Sequence, residues 1–147
     1  MPRHPEKFSA TLFAYGTLME DAVLAAVTGK RFVSRPGVLT GYERLTVRGE
    51  VYPGIRPCQG ARISGRIYSR LDAETLTRLD AFEGELYVRQ QLTVHDTATG
   101  RSLTAETYVI APAHSHCLSD QPWDPEHFRA RHLQAFLAAY RQDTAQH

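Results

Sequence analysis

The sequence predicts an α+β fold, built on a small, curled or barrel-like sheet of mixed or mostly antiparallel strands with helices on its flanks. Short runs of β-branched and aromatic residues recur along the chain, and Thr97-Ala98-Thr99-Gly100 joins two of them in the manner of a hairpin. Only three stretches change to helical spacing, and each carries a start or stop signal: Gly29, Asp72 with Gly84, and Asp124-Pro125.

The elements follow in order. Residues 1–9, with two prolines and mixed charges, read as a loose leader. Ala10–Tyr15 reads as a strand that stops on Tyr15-Gly16-Thr17-Leu18 instead of an ordinary polar turn. Asp21–Val27 reads as a short helix with Leu24 and Val27 on one side, ended by Gly29. Alternation from Gly37 to Val47 predicts a strand kinked at Gly41. RGEVYPGIRPCQG, residues 48–60, reads as a Pro/Gly-punctuated loop whose Val51, Tyr52 and Ile55 either cap a core edge or wall a pocket. ARISGRIY, residues 61–68, resumes the strand pattern.

Leu76, Leu79 and Phe82 then recur at helical spacing, with Asp72 as N-cap, Glu74 in the first turn and Gly84 as terminator. LYVRQQLTVHD and RSLTAETYVIA form the predicted hairpin. The polar stretch PAHSHCLSDQPW leads to Asp124-Pro125, an N-cap followed by proline at the first helical position. One closing helix to about Gln142 is expected, with Phe128, His132, Ala135, Phe136 and Ala139 on a common face.

With 147 residues, 42% of them hydrophobic, the chain is expected to form one domain around a real core. Seventeen basic against 16 acidic side chains, a net charge of +1, point away from nucleic acid and anionic membranes. No apolar run is long enough to span a bilayer, and MPRHPEKF lacks the apolar centre of a signal peptide. The two cysteines, Cys58 and Cys117, offer neither a disulfide framework nor zinc-site spacing. A soluble protein of the reducing cytoplasm is the expectation.

The usual nucleophile and nucleotide motifs are missing: no G-x-S-x-G, no P-loop, no G-x-G-x-x-G after a strand. His114-Ser115-His116-Cys117 is a metal-like cluster, but no distant second pair accompanies it, and a solvated loop is the plainer reading. The carboxylates say more. Asp80 and Glu83 lie three apart where a helix ends, with Glu85 just beyond. For Glu83 the apolar neighbour Phe82, the like charge of Asp80 and the negative helix end all disfavour ionisation and raise the pKa. A carboxylate so tuned can serve as base and then acid near neutral pH, whereas the bland reading is three solvated carboxylates. At Tyr15-Gly16-Thr17-Leu18 the glycine permits a turn whose N–H groups converge on an anion, and an ordinary turn is the alternative.

LFAYGTLM, then GVLTGYERLTVRGEVYPGI, then GRIYSRLDAETLTRLDAFEGELYVRQ, in that order, resemble the γ-glutamyl cyclotransferase-like superfamily. The closing PWDPEHFRARHLQAFL is similar to the tail of the branch first named for plant avirulence-induced genes, so the resemblance runs from about Thr11 to Leu137. It implies a small β-barrel with flanking helices and conversion of a γ-glutamyl amine, amino acid or peptide to 5-oxoproline plus free amine. It implies that the backbone amides of Tyr15, Gly16, Thr17 and Leu18 hold the substrate's α-carboxylate and that Glu83 is the acid/base. Glu85 matches no catalytic position, and Asp80 at most tunes its neighbour. Tyr87 and Tyr108 match tyrosines that line the cavity in some members, and Tyr52 falls on a loop near its mouth. The implied partner is a small γ-glutamyl substrate, with no cofactor and no metal. Three rivals stay open on the sequence: a different reaction on the same scaffold, since members act on glutathione, γ-glutamyl amino acids, γ-glutamyl-lysine isopeptides or γ-glutamyl-protected intermediates; a non-catalytic binding or stress-response module on the same fold; and a metal-binding protein using the histidines.

Overall fold

The computed structural model describes residues 9–145, so all of the expected leader except Ser9 lies outside the described residues. The first strand, β1, spans Ala10–Ala14, and a single 3-10 turn over Thr17–Met19 leads into helix α1, Asp21–Thr28. Strands β2, Ser34–Val47, and β3, Pro53–Leu71, follow, then helix α2, Ala73–Glu83. The hairpin is β4, Tyr87–Asp96, with β5, Arg101–Ile110. A 3-10 turn over Pro112–Cys117 precedes β6, Leu118–Pro122, and the described chain closes with α3, Pro125–Arg131, and α4, Leu133–Ala145.

The six strands form one mixed sheet in the order β3-β1-β5-β4-β2-β6, and β2 also pairs with β3. The pairings therefore run in a circuit from β3 through β1, β5, β4 and β2 back to β3, with β6 on the flank of β2. All are antiparallel except β1 with β5. A strand inside such a circuit is covered on both sides, which explains the apolar run from Leu12 to Ala14 in β1. Leu12 and Ala14 pack with the helices, beside Leu24, Leu76, Leu79 and Leu137. Phe13 and Tyr15 point the other way, into a cluster with Leu39, Ile55, Ile67 and Val94.

The helix signals of the sequence act as expected at several ends. Gly29 follows α1 in left-handed geometry, and the Asp72 carboxylate accepts the Thr75 N–H at the start of α2. Asp124 does the same for the Glu126 N–H at the start of α3.

Three expectations are corrected. Most of the loop read over 48–60 is strand: β3 begins at Pro53, and residues 53–57 pair with Tyr42 to Thr46 of β2. Between the Thr40–Arg62 and Tyr42–Pro57 pairs the register breaks, where Gly41 (φ 82°) and Gly60 (φ 85°) adopt left-handed backbone that suits glycine. Both long strands turn this corner, which is how one hairpin reaches around the circuit. The polar stretch before Trp123 contains β6, whose apolar anchor Leu118 is buried against Leu45, Val47 and Ile110. The closing helix is two helices: His132 departs from helical backbone (φ −127°), although its N–H still donates to the Phe128 carbonyl. Among the described side chains of the last helix Leu137 is buried, whereas Ala135 is exposed.

Candidate active site

Where β1 leaves the sheet, the backbone enters the 3-10 turn with its own bonds from Met19 N–H to the Gly16 carbonyl (3.0 Å) and Glu20 N–H to the Thr17 carbonyl (3.1 Å). The first N–H groups of such a turn have no acceptor within it. Side chains behind the turn hold its carbonyls instead. Arg44 Nη1 donates to the Tyr15 carbonyl at 2.9 Å, and the Tyr68 hydroxyl donates to the Leu18 carbonyl at 3.2 Å. In a trans peptide C=O and N–H point in opposite directions, so anchoring the Tyr15 carbonyl fixes where the Gly16 N–H aims. Gly16 has φ −127°, which is not left-handed; it is glycine because a Cβ there would meet Pro53 Cγ at 2.9 Å.

A cavity of about 550 Å³ opens at this turn. Tyr15, Gly16, Thr17 and Leu18 line its buried end, and Glu83, Tyr87, Tyr108 and Tyr52 line it as well. All eight residues singled out from the sequence thus meet in one space. Val51 and Tyr52 wall the cavity while Ile55 is fully buried in the core, so each sequence reading of that segment fits different residues.

Glu83 ends α2 and faces the cavity. Desolvation by the surrounding protein, with the charge of Asp80 added, raises its pKa to about 8. Among the described residues no hydrogen bond engages its carboxyl. Asp80, by contrast, is committed: Arg89 Nε donates to it at 2.9 Å and the Tyr108 hydroxyl at 2.8 Å. Arg89 also pairs with Glu106 at 3.1 Å.

The tyrosines spend their protons on the protein. The Tyr15 hydroxyl donates to the Tyr108 carbonyl at 2.6 Å, and that of Tyr87 to the Pro53 carbonyl at 2.6 Å. Burial pushes all three phenols at positions 15, 87 and 108 up, the charge of Glu83 adding to each, and burial followed by the nearby Glu50 raises Tyr52. Each stays protonated and, its proton engaged, presents lone pairs to anything in the cavity.

Several residues of the site escaped the sequence reading. Phe136, Ala139, Tyr140 and Asp143 of α4 and Glu50 also line the cavity. Arg44 stacks over Trp123 at 5.6 Å, and Trp123 Nε1 donates to the Val51 carbonyl at 2.8 Å, so one stacked pair ties down both cavity-lining turns. No local motif marks them; only their partners in the fold do. His114 and His116 lie 6.3 Å apart between ring centres, and among the described residues no group of three or more His, Cys, Asp or Glu is placed to hold a metal. No helix among the described residues is long and apolar enough to cross a membrane.

Known proteins share this arrangement of chain. Protein AIG2 B of Arabidopsis thaliana is 31% identical over 139 residues, covering 95% of this chain and 82% of its own. The solution structure of another Arabidopsis thaliana protein superposes with a TM-score of 0.72 at 26% identity, over 97% of this chain and 86% of its own. A γ-glutamyl cyclotransferase structure, at 18% identity, shares the fold with a TM-score of 0.62 over 71% of this chain and 68% of its own. Residues 12–125 match the family model described as "Gamma-glutamyl cyclotransferase, AIG2-like", and the chain belongs to that family.

Proposed function

We propose that the protein is a cyclotransferase of the cytoplasm that converts a small γ-glutamyl amide to 5-oxoproline and releases the amine. The observation that carries this reading is the pairing, in one cavity, of the Gly16–Leu18 turn with a Glu83 carboxyl that no hydrogen bond engages among the described residues and whose pKa is about 8. The amides of the turn bind the α-carboxylate. The α-ammonium donates to tyrosine lone pairs and to ionised Glu83.

The substrate carries its own nucleophile, so this reaction requires a folded substrate and a proton carrier. Glu83 takes a proton from the α-ammonium, and the freed lone pair attacks the γ-carbonyl carbon to form the ring C–N bond. The ring nitrogen then loses a second proton. Both protons end on the departing nitrogen as the original amide C–N bond breaks, so the amine leaves as an ammonium ion and Glu83 is regenerated.

The test is 5-oxoproline release from a panel of γ-glutamyl amines, dipeptides and glutathione. Glu83→Gln keeps the shape of the side chain and removes the proton transfer, and kcat is expected to fall by about 10²-fold or more. Turnover unchanged by Glu83→Gln would overturn the mechanism. Binding of panel members without turnover would assign the cavity to a non-catalytic binding module.

A further inference from the structure

One face of the β4–β5 hairpin carries a chain of hydrogen bonds that ends at the cavity. Arg89 of β4 stands directly opposite Tyr108 of β5, and Gln91 opposite Glu106. Opposed residues, and residues two apart on one strand, share a face, so all four side chains gather on one side of the hairpin. Asp80 of α2 meets them there. Its Oδ1 accepts both the Tyr108 hydroxyl, at 2.8 Å, and Arg89 Nε, at 2.9 Å, while Arg89 Nη2 donates to Oδ2 at 3.3 Å. Arg89 Nη1 reaches Oε2 of the buried Glu106 at 3.1 Å, and Gln91 Nε2 donates to Oε1 of the same residue at 3.2 Å. Among the described residues Arg89 is the cation paired with either acid. Tyr108 lines the cavity, and Asp80, Arg89 and Glu106 stand behind it.

Resting on the cyclotransferase reading, we infer that Arg89 is a positioning residue for the substrate's α-ammonium: by holding Asp80 in place it keeps the Tyr108 proton on the protein, so that the Tyr108 oxygen is a fixed acceptor in the cavity. A phenol has one proton to give and lone pairs to offer, and an ammonium can only donate. With the proton committed to Asp80, the ammonium meets an acceptor. The Asp80 carboxylate is half exposed and shares its arginine with a second acid. Without Arg89 it faces the charge of Glu106 uncompensated and turns to water. The Tyr108 hydroxyl then loses its charge-assisted anchor and is free to donate into the cavity, where an ammonium cannot use it. Arg89 therefore acts on the substrate through two other side chains and touches none of the reacting atoms.

The experiment is a double-mutant cycle on Arg89 and Tyr108. It reads 5-oxoproline release, per folded molecule, from whichever γ-glutamyl amine, dipeptide or glutathione the wild type turns over fastest. Arg89→Met is expected to raise KM about tenfold and to lower kcat much less. In a Tyr108→Phe background no hydroxyl remains to be oriented, and the same change is expected to alter KM by less than about twofold. Arg89→Lys keeps the charge but not the fork, and is expected to recover part of the loss. A merely structural role predicts the same loss in both backgrounds. Equal effects in the two backgrounds, a KM unmoved by Arg89→Met, or a loss carried by kcat would overturn this inference and leave the cyclotransferase reading standing. Should Arg89→Met not fold, the cycle run with Arg89→Lys decides by the same comparison of backgrounds. No turnover of any of these substrates by folded wild type would overturn both.

Discussion

At the scale of single residues, Glu83 decides most. Its carboxyl holds a proton in the folded protein up to about pH 8, whereas a free glutamate side chain loses it near 4.5. The folded state therefore binds more protons than the unfolded one between those limits. Glu83 favours folding below the lower limit, and that contribution is lost as pH rises through about 8. Glutamine has the same shape and never ionises, so Glu83→Gln is expected to be neutral near pH 4.5 and to stabilise the protein by about 1–3 kcal/mol above pH 8. Thermal melts of both proteins across that range check it, and a constant difference would mean that the carboxyl is not desolvated. On the proposed mechanism the same group sets the pH profile: kcat/KM is expected to climb through about pH 8 as the base form of Glu83 appears. Much of this was legible in the sequence, because Phe82 and Asp80 flank the residue and a helix end is local information. That Glu83 has no hydrogen-bond partner among the described residues was not, since donors could have arrived from any distant strand.

At the scale of elements, the site depends on two turns held from behind. Arg44 projects from β2 to the Tyr15 carbonyl and lies over Trp123, which in turn holds the Val51 carbonyl. Arg44→Ala removes a charge-assisted bond that orients the first peptide of the amide turn. The expected loss is about 1.5–3 kcal/mol in kcat/KM, carried mainly by KM, because in the proposed reaction the turn binds substrate and does not move its protons. Arg44→Lys keeps the charge but not the fork, and is expected to recover part of the loss. A fall in kcat alone, or a loss matched by global unfolding, would assign Arg44 a different role. Helix caps and the β4–β5 hairpin were legible because their signals sit within a few residues of one another. The long β3 and the short β6 were not: Pro53, Pro57 and the polar Ser119 to Pro122 speak against strands locally, and pairing with β2 overrides them.

At the scale of the whole molecule, the circuit of strands and the cavity are one construction, because β1 is both a member of the ring and the lead into the amide turn. Its pairing with β3, Phe13 with Ile67 and Ala14 with Arg66, brings the backbones unusually close at Gly65. A Cβ built there would stand 2.3 Å from the Ala14 carbonyl oxygen and 2.7 Å from the Phe13 ring. From the sequence Gly65 is only a glycine interrupting a strand pattern, since close approach is a property of two segments about fifty residues apart. The carbonyl is backbone and cannot rotate away, so Gly65→Ala must push β1 off β3 or bend it. Overpacking of this kind costs about 1–3 kcal/mol. The urea midpoint is expected to fall accordingly, and the displaced strand carries Tyr15 and Gly16 with it. Turnover should therefore drop further than the folded fraction does, measured at a temperature where the variant is fully folded. Normal turnover per folded molecule would show that β1 can yield without moving the turn, and that ring closure and substrate binding are separable.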